Sequence, residues 1–177
     1  MKVKETQLKD CFVIEPNVFI DNRGYFFESF NKEKFKELTN LEVNFVQDNE
    51  AFSNRGVLRG LHFQKGDYAQ AKLVRVIKGK VLDVAVDIRP KSETFGKYFS
   101  IILSEKNKKQ LFVPRGFAHG YAVLEDNTIF SYKCDNYYYP SSEGGIKFND
   151  QDLNIDWMLR EEEIELSGKD SKLGFLK

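Results

Sequence analysis

One run in the middle of the chain constrains the fold more than any other: Val81-Leu82-Asp83-Val84-Ala85-Val86-Asp87-Ile88. Leu82, Val84, Val86 and Ile88 share one face, and Val81, Asp83, Ala85 and Asp87 share the other. A period of two belongs to an extended strand and not to a helix. The preceding segment, Lys72–Lys78, also reads as a strand, and Gly79-Lys80 leaves room only for a hairpin turn between them. A second hairpin is expected where 120–124 and 129–133 flank Glu125-Asp126-Asn127-Thr128. Further extended runs cover 12–20, 24–30, 43–52, 57–64, 98–103 and 111–113. Helical signals are few. Asn31 can cap a short helix running to Leu38, with Glu33 and Lys34 in its first turn, and a second candidate lies at 157–164. About ten short strands with turns between them indicate an all-β sandwich or barrel with a few short helices. No Ser/Gly/Pro-rich stretch, charge block or repeat divides the 177 residues, so 1–177 reads as a single domain.

Composition narrows the function classes. Lysine plus arginine and aspartate plus glutamate balance at 27 each. That gives no basic field for nucleic acid and no polybasic membrane anchor. The opening Met1-Lys2-Val3-Lys4-Glu5-Thr6 has no apolar run behind it, so no signal peptide is expected, and no stretch approaches membrane-spanning length. Cys11 and Cys134 lie far apart without a CxxC. They read as reduced, buried thiols of a cytoplasmic protein.

The chain has only two histidines, His62 and His119. Metal-binding barrels of the cupin type gather histidines in an HxH pair, whereas His62 is followed by Phe63 and Gln64. Spacing therefore gives no support to a metal site. No glycine-rich loop joins a strand to a helix, and there is no GxSxG elbow. Histidine, tyrosine, lysine and arginine remain, a set suited to proton transfer: a neutral imidazole takes a proton from carbon, and a cation holds the resulting oxyanion. Each residue also has a structural reading. His62 sits in Arg59-Gly60-Leu61-His62-Phe63-Gln64, where polar side chains interrupt an apolar strand, which tilts it toward function. His119 follows a Gly/Pro-bearing loop, Lys72 alone is an ordinary solvated lysine, and three successive tyrosines, 137–139, cannot all face inward. The residues by themselves support an all-β enzyme or ligand binder.

Several segments resemble one family in collinear order, from about Thr6 to about Asp170. They are Arg59 to Gln64, Asn44-Phe45-Val46-Gln47-Asp48-Asn49, and Pro114-Arg115-Gly116-Phe117-Ala118-His119-Gly120. Phe19-Ile20-Asp21-Asn22-Arg23-Gly24 with Glu28-Ser29-Phe30, Val84 to Pro90, and Leu153-Asn154-Ile155-Asp156-Trp157 belong to the same set. The chain thus resembles the dTDP-4-dehydrorhamnose 3,5-epimerases. The resemblance implies a cupin-type jelly roll, a homodimer, no metal or organic cofactor, and dTDP-4-dehydro-6-deoxy-D-glucose as substrate. It assigns His62 as base, Asp170 as the carboxylate orienting it, Tyr132 as proton donor and Lys72 as the residue beside the C4 oxygen. His119 is a contact in the same pocket. Arg23, Glu28, Gln47, Asn49, Arg59, Glu143 and Lys169 match substrate or diphosphate contacts, and Tyr138 matches the ring stacked on thymine. N-terminal residues, Arg23 and Glu28 among them, are expected to reach the partner's pocket.

The chemistry agrees with those assignments. Hydrogens at C3 and C5 flank a ketone, so removing either leaves an enolate, and inversion needs different groups on the two faces. One conflict arises: in a straight strand Arg59 and His62 have opposite parity. If both line a pocket, the strand must bulge near Gly60. The rival readings are an epimerase acting at one carbon, a metal-dependent cupin dioxygenase and a non-catalytic sugar-nucleotide-binding jelly roll.

Overall fold

The computed structural model describes residues 1–176. Its strands assemble into two large antiparallel sheets. The first takes, in spatial order, β1 (Lys2–Glu5), β2 (Phe12–Glu15), β10 (Gln110–Val113), β7 (Lys72–Lys78), β12 (Thr128–Cys134) and β5 (Gln47–Ser53). The second takes β13 (Glu143–Gly145), β6 (Leu58–Gln64), β11 (Phe117–Val123), β8 (Lys80–Asp87) and β9 (Tyr98–Ser104). A separate hairpin, β3 (Phe19–Asp21) with β4 (Gly24–Phe26), stands apart from both. This is the jelly roll expected from the resemblance.

Apolar residues from both sheets fill the space between them: Val74, Val76 and Phe130 meet Val81, Ala85 and Tyr121. Each sheet also has a covered outer face. Helix α1 (Lys32–Thr39) lays Phe35 over Phe12, Leu73 and Phe112. Asn31 caps it as expected, its side chain accepting from the Lys34 amide at 3.0 Å. Across the molecule, Trp157, Leu153 and Phe148 cover Leu82, Val84 and Val86. Strand β8 is therefore buried on both faces, and Val81 to Asp87 are all inaccessible to solvent.

Two expectations need correction. Neither expected hairpin is one: β7 and β8 lie in different sheets, as do β11 and β12. Gly79, at φ +81°, turns the chain from one sheet into the other. Strand periodicity specifies which face is buried but not which strand pairs with which, and with two closely packed sheets a two-residue turn can serve as a corner. Nor is 157–164 an α-helix; it contains only the 3₁₀ turn Glu161–Glu163. Its two flanks are tied to other parts of the chain instead. Glu165 exchanges hydrogen bonds with Gly56 and Leu58, and the Trp157 indole donates to the Phe148 carbonyl at 2.8 Å.

Candidate active site

The cleft opens between the two sheets at one end, with a volume of about 610 Å³. One wall depends on an irregularity in β6. His62 faces His119 across β11 and Arg59 faces Tyr121, so two steps on β11 span three on β6. The extra residue falls at Gly60-Leu61, where Gly60 has φ +123° and the peptide joining the two is cis. Leu61 exchanges backbone hydrogen bonds with Ile146 on the other side. The bulge turns Arg59 and His62 to the same face, which resolves the parity conflict. Space there is tight: a Cβ on Gly60 would lie 2.6 Å from the Gly120 Cα and 2.8 Å from the His119 carbonyl oxygen.

The facing wall is regular. Register aligns Gln47 with Cys134 and Lys72, and Asn49 with Tyr132 and Val74. Partners in register share a face, so Gln47, Asn49, Lys72 and Tyr132 point inward together. The Lys72 ammonium lies 5.9 Å from the centre of the Tyr132 ring. Gln47 donates to Asn49, and Asn49 contacts the Cys134 sulfur. His62 and Tyr132 thus stand on opposite walls.

The rim comes from late segments. Asp170 opens a 3₁₀ turn whose first amide donates to the Ser167 hydroxyl. Its carboxylate is buried and meets His62 Nε2 at 2.5 Å. With Nε2–H directed at the carboxylate, Nδ1 keeps the free lone pair. Lys169 forms an ion pair with Glu143, which also accepts from the Tyr138 hydroxyl at 2.9 Å. Arg59 leans on the Ser53 hydroxyl at 3.2 Å and has no carboxylate partner among the described residues.

Burial dominates the electrostatics. It pushes the His62 imidazolium below its ordinary pKa of 6.5, opposed by Asp170 and reinforced by Lys72 and Lys169. Desolvation likewise lowers the Lys72 ammonium, which has no carboxylate in contact among the described residues. It raises the Tyr132 phenol, which therefore stays protonated and able to donate. The Cys134 thiol is pushed up to about 11 and stays neutral. Burial would raise Glu143, but hydrogen bonds from Lys169 and Tyr138 outweigh it and hold the carboxylate below its ordinary value. An uncharged base, a buried amine and a protonated phenol thus converge on one space.

Eleven expected site residues line the cleft: Gln47, Asn49, Arg59, His62, Lys72, His119, Tyr132, Tyr138, Glu143, Lys169 and Asp170. Two do not. Arg23 sits at the tip of the β3–β4 hairpin paired with Asp21, and Glu28 pairs with Lys34. Neither is among the described residues that line the cleft. One residue was missed. Asp83, fully buried, meets His119 Nε2 with both carboxylate oxygens at 3.0 Å. The available signal was a carboxylate at an interior position of β8, between Leu82 and Val84. Among the described residues, no group of three or more His, Cys, Asp or Glu side chains is placed to hold a metal ion.

Comparisons with known proteins point the same way as the geometry. A family model described as dTDP-4-dehydrorhamnose 3,5-epimerase matches residues 5–177. The enzyme of that description from Escherichia coli K12 is 51% identical over 173 residues, covering 98% of this chain and 93% of its own. The crystal structure of the corresponding protein from Elizabethkingia anophelis has a TM-score of 0.95 at 58% identity, covering 99% of this chain and 96% of that one. A dTDP-6-deoxy-D-glucose-3,5-epimerase from Legionella pneumophila, solved in complex with dTDP-4-keto-L-rhamnose, superposes with a TM-score of 0.95 at 47% identity. It covers 99% of this chain and 92% of its own.

Proposed function

Because the chain belongs to the dTDP-4-dehydrorhamnose 3,5-epimerase family, we propose that His62 and Tyr132 invert C3 and C5 of dTDP-4-dehydro-6-deoxy-D-glucose. The chain is an isomerase of the dTDP-rhamnose route, and its product is the 4-ketosugar that a reductase takes to dTDP-L-rhamnose. The observation that carries the residue assignment is the placement of an Asp170-backed imidazole on one wall and a protonated phenol on the other.

Each inversion runs in two proton transfers. His62 Nδ1 takes the proton from carbon, and the electron pair of that bond moves onto the C4 oxygen as an enolate. Asp170 stabilises the imidazolium that forms. Lys72 donates to the enolate oxygen, a contribution worth several kcal/mol in a site sheltered from water. Tyr132 then delivers a proton to the opposite face of the carbon, and the enolate collapses to the ketone. Electrons return to the carbon they left; the imidazolium proton leaves to solvent and the Tyr132 phenolate takes one up before the next inversion, so the cycle balances without a redox or metal partner.

The Legionella relative was solved with a dTDP-ketosugar bound, and we assign the same ligand class to this cleft. Arg59, free of carboxylates among the described residues, suits a diphosphate through its planar fork. Lys169 and Glu143 on the rim, with Gln47 and Asn49 on the facing wall, complete the polar lining, and Tyr138 offers its exposed ring to thymine. His119, held by Asp83, borders the sugar.

We further propose a homodimer. The β3–β4 hairpin exposes Phe19 at 64%, Ile20 at 81% and Phe26 at 70%, more apolar surface than an isolated hairpin leaves in water. It also carries Arg23 away from its own cleft, which suits a contact with the partner's cleft. Two free, buried cysteines fit the cytoplasm.

Turnover in heavy water followed by proton NMR tests the reaction. Deuterium is expected at both C3 and C5 of the product. Incorporation at a single carbon would replace the double inversion with a single one.

A further inference from the structure

We infer that Gln64 is a positioning residue that fixes the nucleotide-base wall of the cleft, acting through Tyr138; this rests on the reading of Tyr138 given above. Gln64 follows His62 by two on β6, faces the same side and is only 7% exposed. Its carboxamide is spent on main chain. The side-chain oxygen accepts from the Tyr139 amide at 2.6 Å, and the nitrogen donates to the carbonyls of Tyr137 at 3.1 Å and Tyr68 at 2.8 Å. Those contacts grip the residues immediately before and after Tyr138. Gln47 holds the residue between them, accepting from the Tyr138 amide at 3.0 Å.

The consequence is an ordered surface where disorder is the norm. Tyr137, Tyr138 and Tyr139 are 65%, 50% and 44% exposed and lie outside any strand, a setting in which loops ordinarily move. Here the loop is tied through Gln64 to the segment holding Tyr68, and the Tyr68 and Tyr139 rings stack at 4.0 Å with planes 7° apart. Asn136 adds a bond to the Asp67 carbonyl. A wall ordered before the ligand arrives spares the binding step the entropy of ordering it. Glutamine alone among residues of this length supplies two donors and an acceptor. Glutamate would set an anion against two carbonyls, and leucine would leave all three backbone groups unpartnered.

A double-mutant cycle on the full chain tests this, reading the Kd for dTDP with kcat and KM for the ketosugar. Gln64→Leu and Gln64→Glu should each raise Kd and KM about tenfold while kcat stays within about threefold. Added to Tyr138→Ala, either change should weaken binding little further, because its effect passes through that ring. The Glu variant keeps the side-chain shape and carries the cycle should the Leu variant fold poorly. Unchanged Kd in folded Gln64 variants, losses that multiply with Tyr138→Ala, or a fall in kcat matching the rise in KM would each overturn the inference. If Tyr138→Ala itself leaves Kd unchanged, the assignment of Tyr138 fails first. If Tyr138→Ala weakens binding and the Gln64 variants do not, the positioning role alone fails.

Discussion

The base proposed at His62 works only while its ring is neutral, so the environment that sets its pKa sets the acid limb of the rate. Burial lowers that pKa below 6.5, Asp170 pulls it back up, and Lys72 and Lys169 lower it again. The neutral form prevails above the folded-state pKa, so kcat/KM should rise with pH through a limb lying below 6.5 and then level off. Asp170→Asn removes the partner that raises the pKa. The limb should move to still lower pH, while the plateau falls by about 10²–10⁴ as the ring loses its orientation. A kcat/KM profile of both proteins checks it, and a limb moving to higher pH in Asp170→Asn would contradict the pairing. The same scale shows where sequence reading stops. Asp83 and Asp87 lie four residues apart on one face of β8 and look alike in sequence. Asp83, itself fully buried, meets His119, which lines the cleft. Asp87 accepts from Arg89, Ser92 and Thr94, which overcome its burial and hold its carboxyl at about 2. Only the tertiary neighbours tell a site carboxylate from a structural one.

At the scale of elements, strand β6 was the most legible part of the site. Two assigned residues of opposite parity required a bulge near Gly60, and the bulge is there, at a glycine with φ +123°. The prediction follows from the same crowding. Gly60→Ala places a Cβ 2.6 Å from the backbone of Gly120 in a left-handed conformation, which should cost about 3 kcal/mol. The melting temperature should fall by roughly 10 °C, and turnover should drop more than about a hundredfold as His62 is re-aimed. Gly66→Ala is the control: φ is +58° but nothing lies within 4 Å of its Cβ, so it should lose about 1 kcal/mol and keep its activity. Calorimetry with a turnover assay decides, and equal effects of the two changes would deny the bulge its role. Strand partnership was not legible in the same way. The Gly79 and Asn127 turns look like hairpins because turn chemistry is local, whereas the choice between pairing and crossing to the facing sheet depends on residues far along the chain.

The whole molecule poses the remaining question, since one protomer brings His62, Lys72, Tyr132 and Asp170, the groups proposed for proton transfer, to one cleft but not Arg23. That residue is 84% exposed by its side chain and, among the described residues, bonds only to Asp21. Subunit mixing separates the two places it can act. Arg23→Ala and His62→Ala chains are each expected to be severely impaired alone, the first in binding and the second in proton transfer. If Arg23 serves the partner's cleft, unfolding the two together and refolding them yields mixed dimers with one complete site. The His62→Ala chain then lends its arginine to the cleft of the Arg23→Ala chain, which supplies the histidine. Random pairing makes half the dimers mixed, with one site of two intact in each, so about a quarter of wild-type activity should return. If Arg23 acts within its own protomer, every cleft lacks one residue or the other and no activity returns. A monomer at working concentration in sedimentation analysis would remove the dimer outright. The exposed Phe19, Ile20 and Phe26 around Arg23 give the mixing result a second reading. A hairpin that docks on a partner should lose that exposure, so hydrogen exchange across 19–26 should slow as the protein is concentrated through its dimer dissociation constant.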